Sequence, residues 1–185
     1  MVIQNGMSIV GVGAWWVGYR YWWTPDRRSA GTGAAGVGAR RGGVGTRPLV
    51  HDERVLEWVR HAHEGTRFTT SVCTGSLVLA AAGLLDGLTA TTHWSVLEEL
   101  LALGAEPTSD RVVEHLDRRI ITAAGVSSGI DMALRLVEVL VDETAAKASQ
   151  LMIEYDPQPP FDAGALAKCD ATVVERVIEY AALRQ

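Results

Sequence analysis

Residues 66–85 read TRFTTSVCTGSLVLAAAGLL, and a strand-like half changes to a helix-like half at a single cysteine. Residues 66–72 are rich in β-branched and aromatic side chains, whereas residues 75–85 are rich in Leu and Ala at helical spacing. Cys73 is therefore predicted to occupy a strand-to-helix turn. A thiol in such a turn lies near the positive end of the helix dipole, which favours the nucleophilic thiolate.

The residues after Cys73 are expected to support this chemistry. The first N–H groups of a helix have no intrahelical acceptor, so those of Thr74 and Gly75 are predicted to stabilise a developing anion. The alternative is that Cys73 is an inert packing residue at the end of a buried strand, as free cysteines commonly are. The turn alone makes Cys73 a candidate nucleophile and no more.

The whole chain sets limits on its class of function. Its 185 residues suffice for one domain with a substantial core. The net charge of −5 argues against nucleic acid and favours a small-molecule substrate. The two cysteines, Cys73 and Cys169, resemble neither a disulfide framework nor a metal pair, which indicates a reducing compartment such as the cytoplasm. The sequence contains no apolar run of about 18 residues, so no membrane segment is predicted.

The composition changes near residue 49, and the apolar residues before that point follow neither a strand period nor a helix period. It combines frequent glycines with paired tryptophans, several arginines and a single acid, Asp26. Residues 1–41 are therefore predicted to be an atypical Gly/Arg/Trp-rich segment without regular structure. They are interpreted either as a wrong reading frame or degenerated start, or as a novel glycine-rich extension. Residues 42–185 are predicted to form the folded domain.

The rest of the chain alternates strands and helices, which predicts an α/β sandwich on a largely parallel sheet. In such sheets the site lies outside the carboxyl ends of the strands, where Cys73 falls. Gly125, Val126 and Ser127 form a second strand-to-helix turn, which could line the same pocket or simply cap a helix. Further helices are predicted at residues 52–63, 94–103, 127–141, 143–155 and 171–183, and further strands at residues 89–92, 111–115 and 119–124.

Four motifs in order resemble the ThiJ/PfpI superfamily, which has the class I glutamine amidotransferase-like fold. They are SVCTGSLVLAAAG at residues 71–83, ATTHW at 90–94, TAAGVSSGID at 122–131 and EYDPQPPFD at 154–162. The last motif is most similar to the isonitrile hydratase branch. The resemblance implies a dimeric, flavodoxin-like three-layer sandwich without metal or cofactor, from which the N-terminal strand is missing or scrambled in this chain.

The resemblance also implies a reaction. Cys73 would attack the terminal carbon of an isonitrile, and the resulting thioimidate would be hydrolysed to an N-substituted formamide. A thiolate suits this soft electrophile. Thr74 matches the family position that contacts the thiolate side of the site, and Gly43 resembles a family glycine whose N–H faces the nucleophile.

One catalytic element of the family is not found here. The family places an acid after its first strand, but neither that strand nor the flanking residues surround Asp26, so Asp26 is not given the role. Turnover is expected to be impaired without this acid. His93 is a candidate general base, although it could instead cap a helix or pack. The other histidines are expected to be solvated, and the spacing of His61 and His63 argues against a metal site.

Two other functions stay open. One is a ligand- or redox-sensing domain without catalysis, as in regulators of the AraC type. There the cysteine of the strand-to-helix turn, here Cys73 in the turn that we call the elbow, would be oxidised or contact a ligand. The other is an amidohydrolase or glutaminase-like activity, which would need His93 and an acid to form a triad with Cys73.

Overall fold

The computed structural model describes residues 37–40 and 46–182 of the chain. The strands are β1 (Val37–Arg40), β2 (Phe68–Val72), β3 (Thr89–Ala90), β4 (Glu106–Pro107), β5 (Val112–His115) and β6 (Ile120–Ala123). The α-helices are α1 (Thr46–Leu49), α2 (Glu53–Gly65), α3 (Gly75–Ala81), α4 (Leu97–Ala102), α5 (Ser128–Leu140), α6 (Glu143–Met152) and α7 (Ala171–Ala182). Short 3-10 helices span Trp94–Val96 and Leu166–Lys168.

The main sheet is largely parallel, with strand order β1-β2-β6-β5. Strands β1, β2 and β6 run parallel to one another, and β5 pairs antiparallel with β6 as the predicted hairpin. Val72 at the end of β2 is in register with Ala123 at the end of β6. The carboxyl ends of these two buried strands therefore meet at one edge of the sheet, directly before the two predicted turns. The predicted α/β, flavodoxin-like class is confirmed.

Strand β1 is a correction to the expectation that residues 1–41 form no regular element. Val37–Arg40 pairs with β2 from Val37 opposite Phe68 to Arg40 opposite Ser71. Strand pairing needs only backbone N–H and C=O groups, which a Gly- and Ala-containing run supplies without any side-chain period. Strand β2 thus has a neighbour on both sides. Residues 1–36 lie outside the described residues. The predicted wrong reading frame, degenerated start or glycine-rich extension therefore stays a prediction.

The core lies around α3, which is buried along most of its length. Leu77, Val78 and Leu79 pack with Leu56 and Val59 of α2, which form one stripe of that helix. A helix that is apolar on every side must be covered on every side, and α3 is covered by α2, α4 and the sheet. Because Cys73 immediately precedes α3, the core fixes the position of the turn.

Some element ends differ from the sequence prediction. The helix expected at residues 94–103 begins as a 3-10 turn and becomes α4 at Leu97. Helix α6 ends at Met152, because Glu154 adopts a left-handed backbone and the N–H of Tyr155 returns to the carbonyl of Gln150 at 3.1 Å. Strand β4 was not expected, since a two-residue strand that contains Pro107 has no strand pattern.

The chain divides into two compact units between Ala133 and Leu134. The first contains the sheet, both strand-to-helix turns and the core. The second contains the end of α5 together with α6 and α7, and neither α6 nor α7 buries a residue. Among the described helices, none combines the length and apolarity needed to cross a membrane.

Candidate active site

Cys73 lies in the predicted turn between β2 and α3 and has a left-handed backbone, with φ of +59°. A non-glycine residue in this region carries about 1–3 kcal/mol of strain and persists only where its surroundings enforce it. Two other described non-glycine residues share the conformation, Arg119 in the β5–β6 turn and Glu154 after α6. Cys73 is the one of the three that joins a strand to a helix, and it is partly exposed to solvent.

Hydrogen bonds hold the Cys73 backbone on both sides. Its N–H donates to the carbonyls of Ala123 at 3.0 Å and Ala124 at 2.6 Å, at the end of β6. Its carbonyl accepts from the Thr92 hydroxyl at 3.0 Å and from the Ser76 hydroxyl at 3.2 Å. These contacts come from three different parts of the fold, so the strained conformation is fixed by tertiary structure.

Thr74 continues the turn with a helical backbone, at φ −65° and ψ 0°. Its side-chain oxygen accepts a hydrogen bond from the Thr46 hydroxyl at 3.0 Å. Thr46 is buried and begins α1, so the start of α1 contacts the turn at Cys73–Thr74. Thr46 was not predicted as a site residue, and its position after a glycine-rich run is the one signal that could have pointed to it. Gly43, the predicted backbone donor, lies outside the described residues.

His93 has a local structural role. It caps the 3-10 helix at Trp94–Val96, with Nδ1 accepting from the Ser95 N–H at 3.3 Å and lying 2.8 Å from the Ser95 hydroxyl. Its ring packs at 5.4 Å from the Trp94 ring. Burial lowers the pKa of His93, because it disfavours the charged imidazolium. In the described structure His93 makes no hydrogen bond to Cys73, so the geometry fits the capping alternative.

His63 differs from the solvated residue that was expected. It is half-buried, and its Nδ1 lies 2.9 Å from the Thr69 hydroxyl. Burial lowers the pKa of His63, the Arg119 guanidinium lowers it further, and Glu64 acts in the opposite direction. His63 lies near the start of β2, at the opposite end of the strand from Cys73.

The second turn lies directly beside the elbow. Its N–H groups make local hydrogen bonds: the N–H of Ser128 donates to the carbonyl of Gly125 at 3.0 Å, and the N–H of Gly129 donates to the carbonyl of Val126 at 3.2 Å. A Cβ on Gly129 would lie 3.1 Å from both γ carbons of Val72, the residue before Cys73. The start of α5 is therefore in tight contact with the end of β2, which places the turn of Gly125, Val126 and Ser127 beside the turn of Cys73.

Arg111 braces this second turn, and the sequence analysis did not identify it. Its guanidinium binds the Asp131 carboxylate at 2.8 and 2.6 Å and donates to the Ser127 hydroxyl at 3.3 Å. Its carbonyl accepts from the N–H of Ala124 at 2.9 Å, and the Ala124 carbonyl in turn accepts from Cys73. Ser127 thus contacts Arg111, and the exposed side chain of Val126 stays available to a ligand.

Two clefts occur elsewhere. One of about 200 Å³ is lined by residues that include His63, Asp86 and Arg118, and one of about 290 Å³ lies between α5 and α6 in the second unit. Neither cleft includes Cys73, whose access is through its own partial exposure. Within residues 37–40 and 46–182, no three His, Cys, Asp or Glu side chains are grouped so as to hold a metal ion.

Comparison with known proteins agrees with the fold. The chain is 47% identical to an isonitrile hydratase of Pseudomonas putida over 141 residues, which are 76% of this chain and 61% of that protein. It is 33% identical to the HTH-type transcriptional regulator GbdR of Pseudomonas aeruginosa over 62% of this chain and 31% of the regulator. The chain thus spans about three-fifths of the length of the hydratase and about one-third of the regulator.

Solved structures of related proteins share the fold of this chain. A ThiJ/PfpI family protein from Pseudomonas syringae aligns with a TM-score of 0.70 and 45% identity, covering 76% of this chain and 57% of that chain. Schizosaccharomyces pombe DJ-1 shares the fold at a TM-score of 0.56 and 21% identity, covering 65% of this chain and 63% of its own. Residues 41–139 match the DJ-1/PfpI family. This chain belongs to the DJ-1/PfpI family.

Proposed function

We propose that this chain hydrates isonitriles to N-substituted formamides, with Cys73 as the nucleophile. The observation that carries the proposal is the left-handed backbone of Cys73 at the carboxyl end of β2, in a chain 47% identical to an isonitrile hydratase. Backbone strain of this kind clusters at active sites, where the surrounding structure maintains it. Cys73 is partly exposed to solvent, as the proposal requires for a small substrate to reach the sulfur.

The chemistry proceeds in two proposed stages. First, the sulfur donates an electron pair to the terminal isonitrile carbon, and that carbon takes up a proton. The S–C and C–H bonds form, and the carbon–nitrogen triple bond becomes the double bond of a thioimidate. Water then adds to the thioimidate carbon, and one of its protons goes to nitrogen. Breakage of the C–S bond, with return of the remaining proton to sulfur, releases the formamide.

The residues around the elbow are proposed to stabilise charge and to line the pocket. The N–H groups of Thr74 and Gly75, at the start of α3, would stabilise negative charge on the sulfur and on the adduct. The Thr74 oxygen accepts a hydrogen bond from the Thr46 hydroxyl, which holds this side chain at the start of α3. Gly125, Val126 and Gly43 complete the proposed pocket.

The proposed proton source is solvent. Among the described residues no carboxyl group hydrogen-bonds to Cys73, and the Asp131 carboxylate is engaged by Arg111. General acid/base assistance commonly contributes about 10²–10⁴-fold to a rate. The proposal therefore includes slow turnover, with the thiol as its essential group. A homodimer, a cytoplasmic location and independence from any cofactor stay predictions.

The test uses the full chain and an alkyl isonitrile, with the formamide measured by mass spectrometry. Cys73→Ser should abolish its formation, because a hydroxyl is a far weaker nucleophile than a thiolate. Cys169→Ser is the matched control, since it removes the other cysteine, whose sulfur hydrogen-bonds to the carbonyls of Ala163 and Ala165 within the part of the chain that the structure describes. Formamide production by Cys73→Ser at the rate of the unaltered chain would contradict the mechanism.

A second candidate is a sensing domain, and the similarity to GbdR favours it. In this role Cys73 would be oxidised to a sulfenic acid or would contact a ligand without turnover. Titration with hydrogen peroxide, read by intact mass on the Cys169→Ser chain, should then add one oxygen at low peroxide. The absence of that adduct would count against sensing by oxidation. The amidohydrolase alternative receives less support, because His93 uses Nδ1 in its cap.

A further inference from the structure

Thr92 is a buried threonine that contacts the elbow from another part of the chain. It is the second residue after β3 and is 2% exposed. Its hydroxyl donates to the carbonyl of Cys73 at 3.0 Å, although 19 residues separate the two in sequence. The Ser76 hydroxyl, which contacts the same carbonyl at 3.2 Å, belongs to the helix that Cys73 precedes. Thr92 is therefore the long-range side-chain donor to this peptide.

The contact matters because of peptide geometry. The Cys73 carbonyl and the Thr74 N–H belong to one planar unit and point in opposite directions. A hydrogen bond that fixes the carbonyl therefore fixes the direction of the N–H. That N–H is the donor to which the proposed function assigns stabilisation of negative charge at the sulfur. Cys73 has a strained φ, so the plane has reason to rotate when one of its contacts is removed.

We infer that Thr92 is a positioning residue for Cys73, acting through the peptide plane that carries the Thr74 N–H. This inference deepens the proposed function and rests on it for the role of that N–H. Thr92 does not touch the sulfur in this account. Its hydroxyl holds the Cys73 carbonyl, and the carbonyl sets the direction of the donor on the other side of the peptide.

The chain offers a matched control in the preceding residue. Thr91 is also fully buried, but its hydroxyl has no hydrogen-bond partner among the described residues. Threonine and valine have nearly the same shape, so Thr91→Val and Thr92→Val each remove one buried hydroxyl and little volume. Only the second substitution removes a contact with Cys73. Thr92→Ser keeps the donor and removes a methyl group.

The experiment measures alkylation of Cys73 by iodoacetamide in the full chain with Cys169→Ser, so that a single thiol reacts. Thr92→Val should lower the second-order rate constant about fivefold, the usual effect of one lost hydrogen bond. Thr92→Ser and Thr91→Val should stay within about twofold of the parent. With an alkyl isonitrile, Thr92→Val should lower kcat and leave KM within about twofold, because the substrate-binding surface is unchanged.

The outcomes separate the two proposals. Equal alkylation rates for Thr92→Val and Thr91→Val overturn the positioning role, whatever the isonitrile assay gives. The fivefold difference in a chain that makes no formamide supports the positioning role and rejects the substrate. If circular dichroism shows Thr92→Val to be unfolded, Ser76→Ala decides, since it removes the other hydroxyl from the same carbonyl. A slower thiol then supports the role of this peptide, and an unchanged thiol overturns it.

Discussion

Replacing Gly129 with alanine tests the contact that places the second turn beside the elbow. The new Cβ would lie 3.1 Å from both γ carbons of Val72 and 3.8 Å from its Cβ. Carbon atoms attract most strongly at about 3.5–4.0 Å, so both methyl contacts are repulsive. Rotation of Val72 gives little relief, because a β-branched side chain carries two heavy atoms on Cβ and has a stiff χ1. Either β2 or the start of α5 must move.

The expected magnitude is the balance of two effects. Overpacking of this kind costs about 1–3 kcal/mol. Alanine gains up to about 1 kcal/mol over glycine in a helix, and Gly129 is the second residue of α5. The net loss in the free energy of unfolding should be about 0.5–2 kcal/mol, and Tm should fall by about 2–4 °C for each kcal/mol. Since Val72 precedes Cys73, alkylation of the thiol should change as well.

Gly125→Ala is the control, because a Cβ there meets nothing within 4 Å and the backbone is not left-handed. Urea unfolding of both variants gives the comparison, and the double variant Val72→Ala/Gly129→Ala measures the coupling. Removing the two γ carbons should recover most of the loss, giving a coupling energy of about 1 kcal/mol. A Gly129→Ala chain at least as stable as Gly125→Ala would refute the tight contact.

Two further predictions concern charge. The pKa values of His63 and His93 lie below the ordinary 6.5, chiefly through burial, so the unfolded chain binds more protons near that pH. Stability should be full above about pH 6.5 and fall as the pH drops through the folded values, and His93→Asn, which keeps a capping side chain, should make that fall shallower in urea titrations. Arg111→Met should cost about 1 kcal/mol or less, since its ion pair with Asp131 is partly exposed to solvent, and a loss above about 2 kcal/mol would contradict this.

Local patterns were sufficient for the parts of the fold that local forces determine. Helix α2 was predicted from its acidic start and its apolar stripe, and the structure shows the Asp52 cap and the buried Leu56 and Val59. The turn at Cys73 was predicted from a change of period at one residue. Strand β1 was missed because its stability comes from pairing with β2, and a glycine-rich run has no period that reveals a partner.

The contacts around the elbow could not be predicted in the same way. Thr92 and Cys73 are 19 residues apart, and Thr46 and Thr74 are 28 apart. Threonines after short strands are common, and the direction of their hydroxyls depends on sheet register and helix packing, which the linear sequence does not specify. His93 shows the converse, because a histidine that sequence alone offers as a base is occupied by a local cap.

The Cys73 peptide depends both on local structure and on long-range contacts. Its N–H is held by the end of β6, and its carbonyl is held by the first turn of α3 and by Thr92, the second residue after β3. A left-handed cysteine is unfavourable in the isolated chain, so its population depends on all of these elements being assembled. Substitutions that loosen any one of these contacts should therefore change the rate of thiol alkylation clearly, while they shift the midpoint of global unfolding only slightly. Reactivity at Cys73 then reports the integrity of the turn, whereas the apolar core around Leu77, Val78 and Leu79 determines whether the unit is folded.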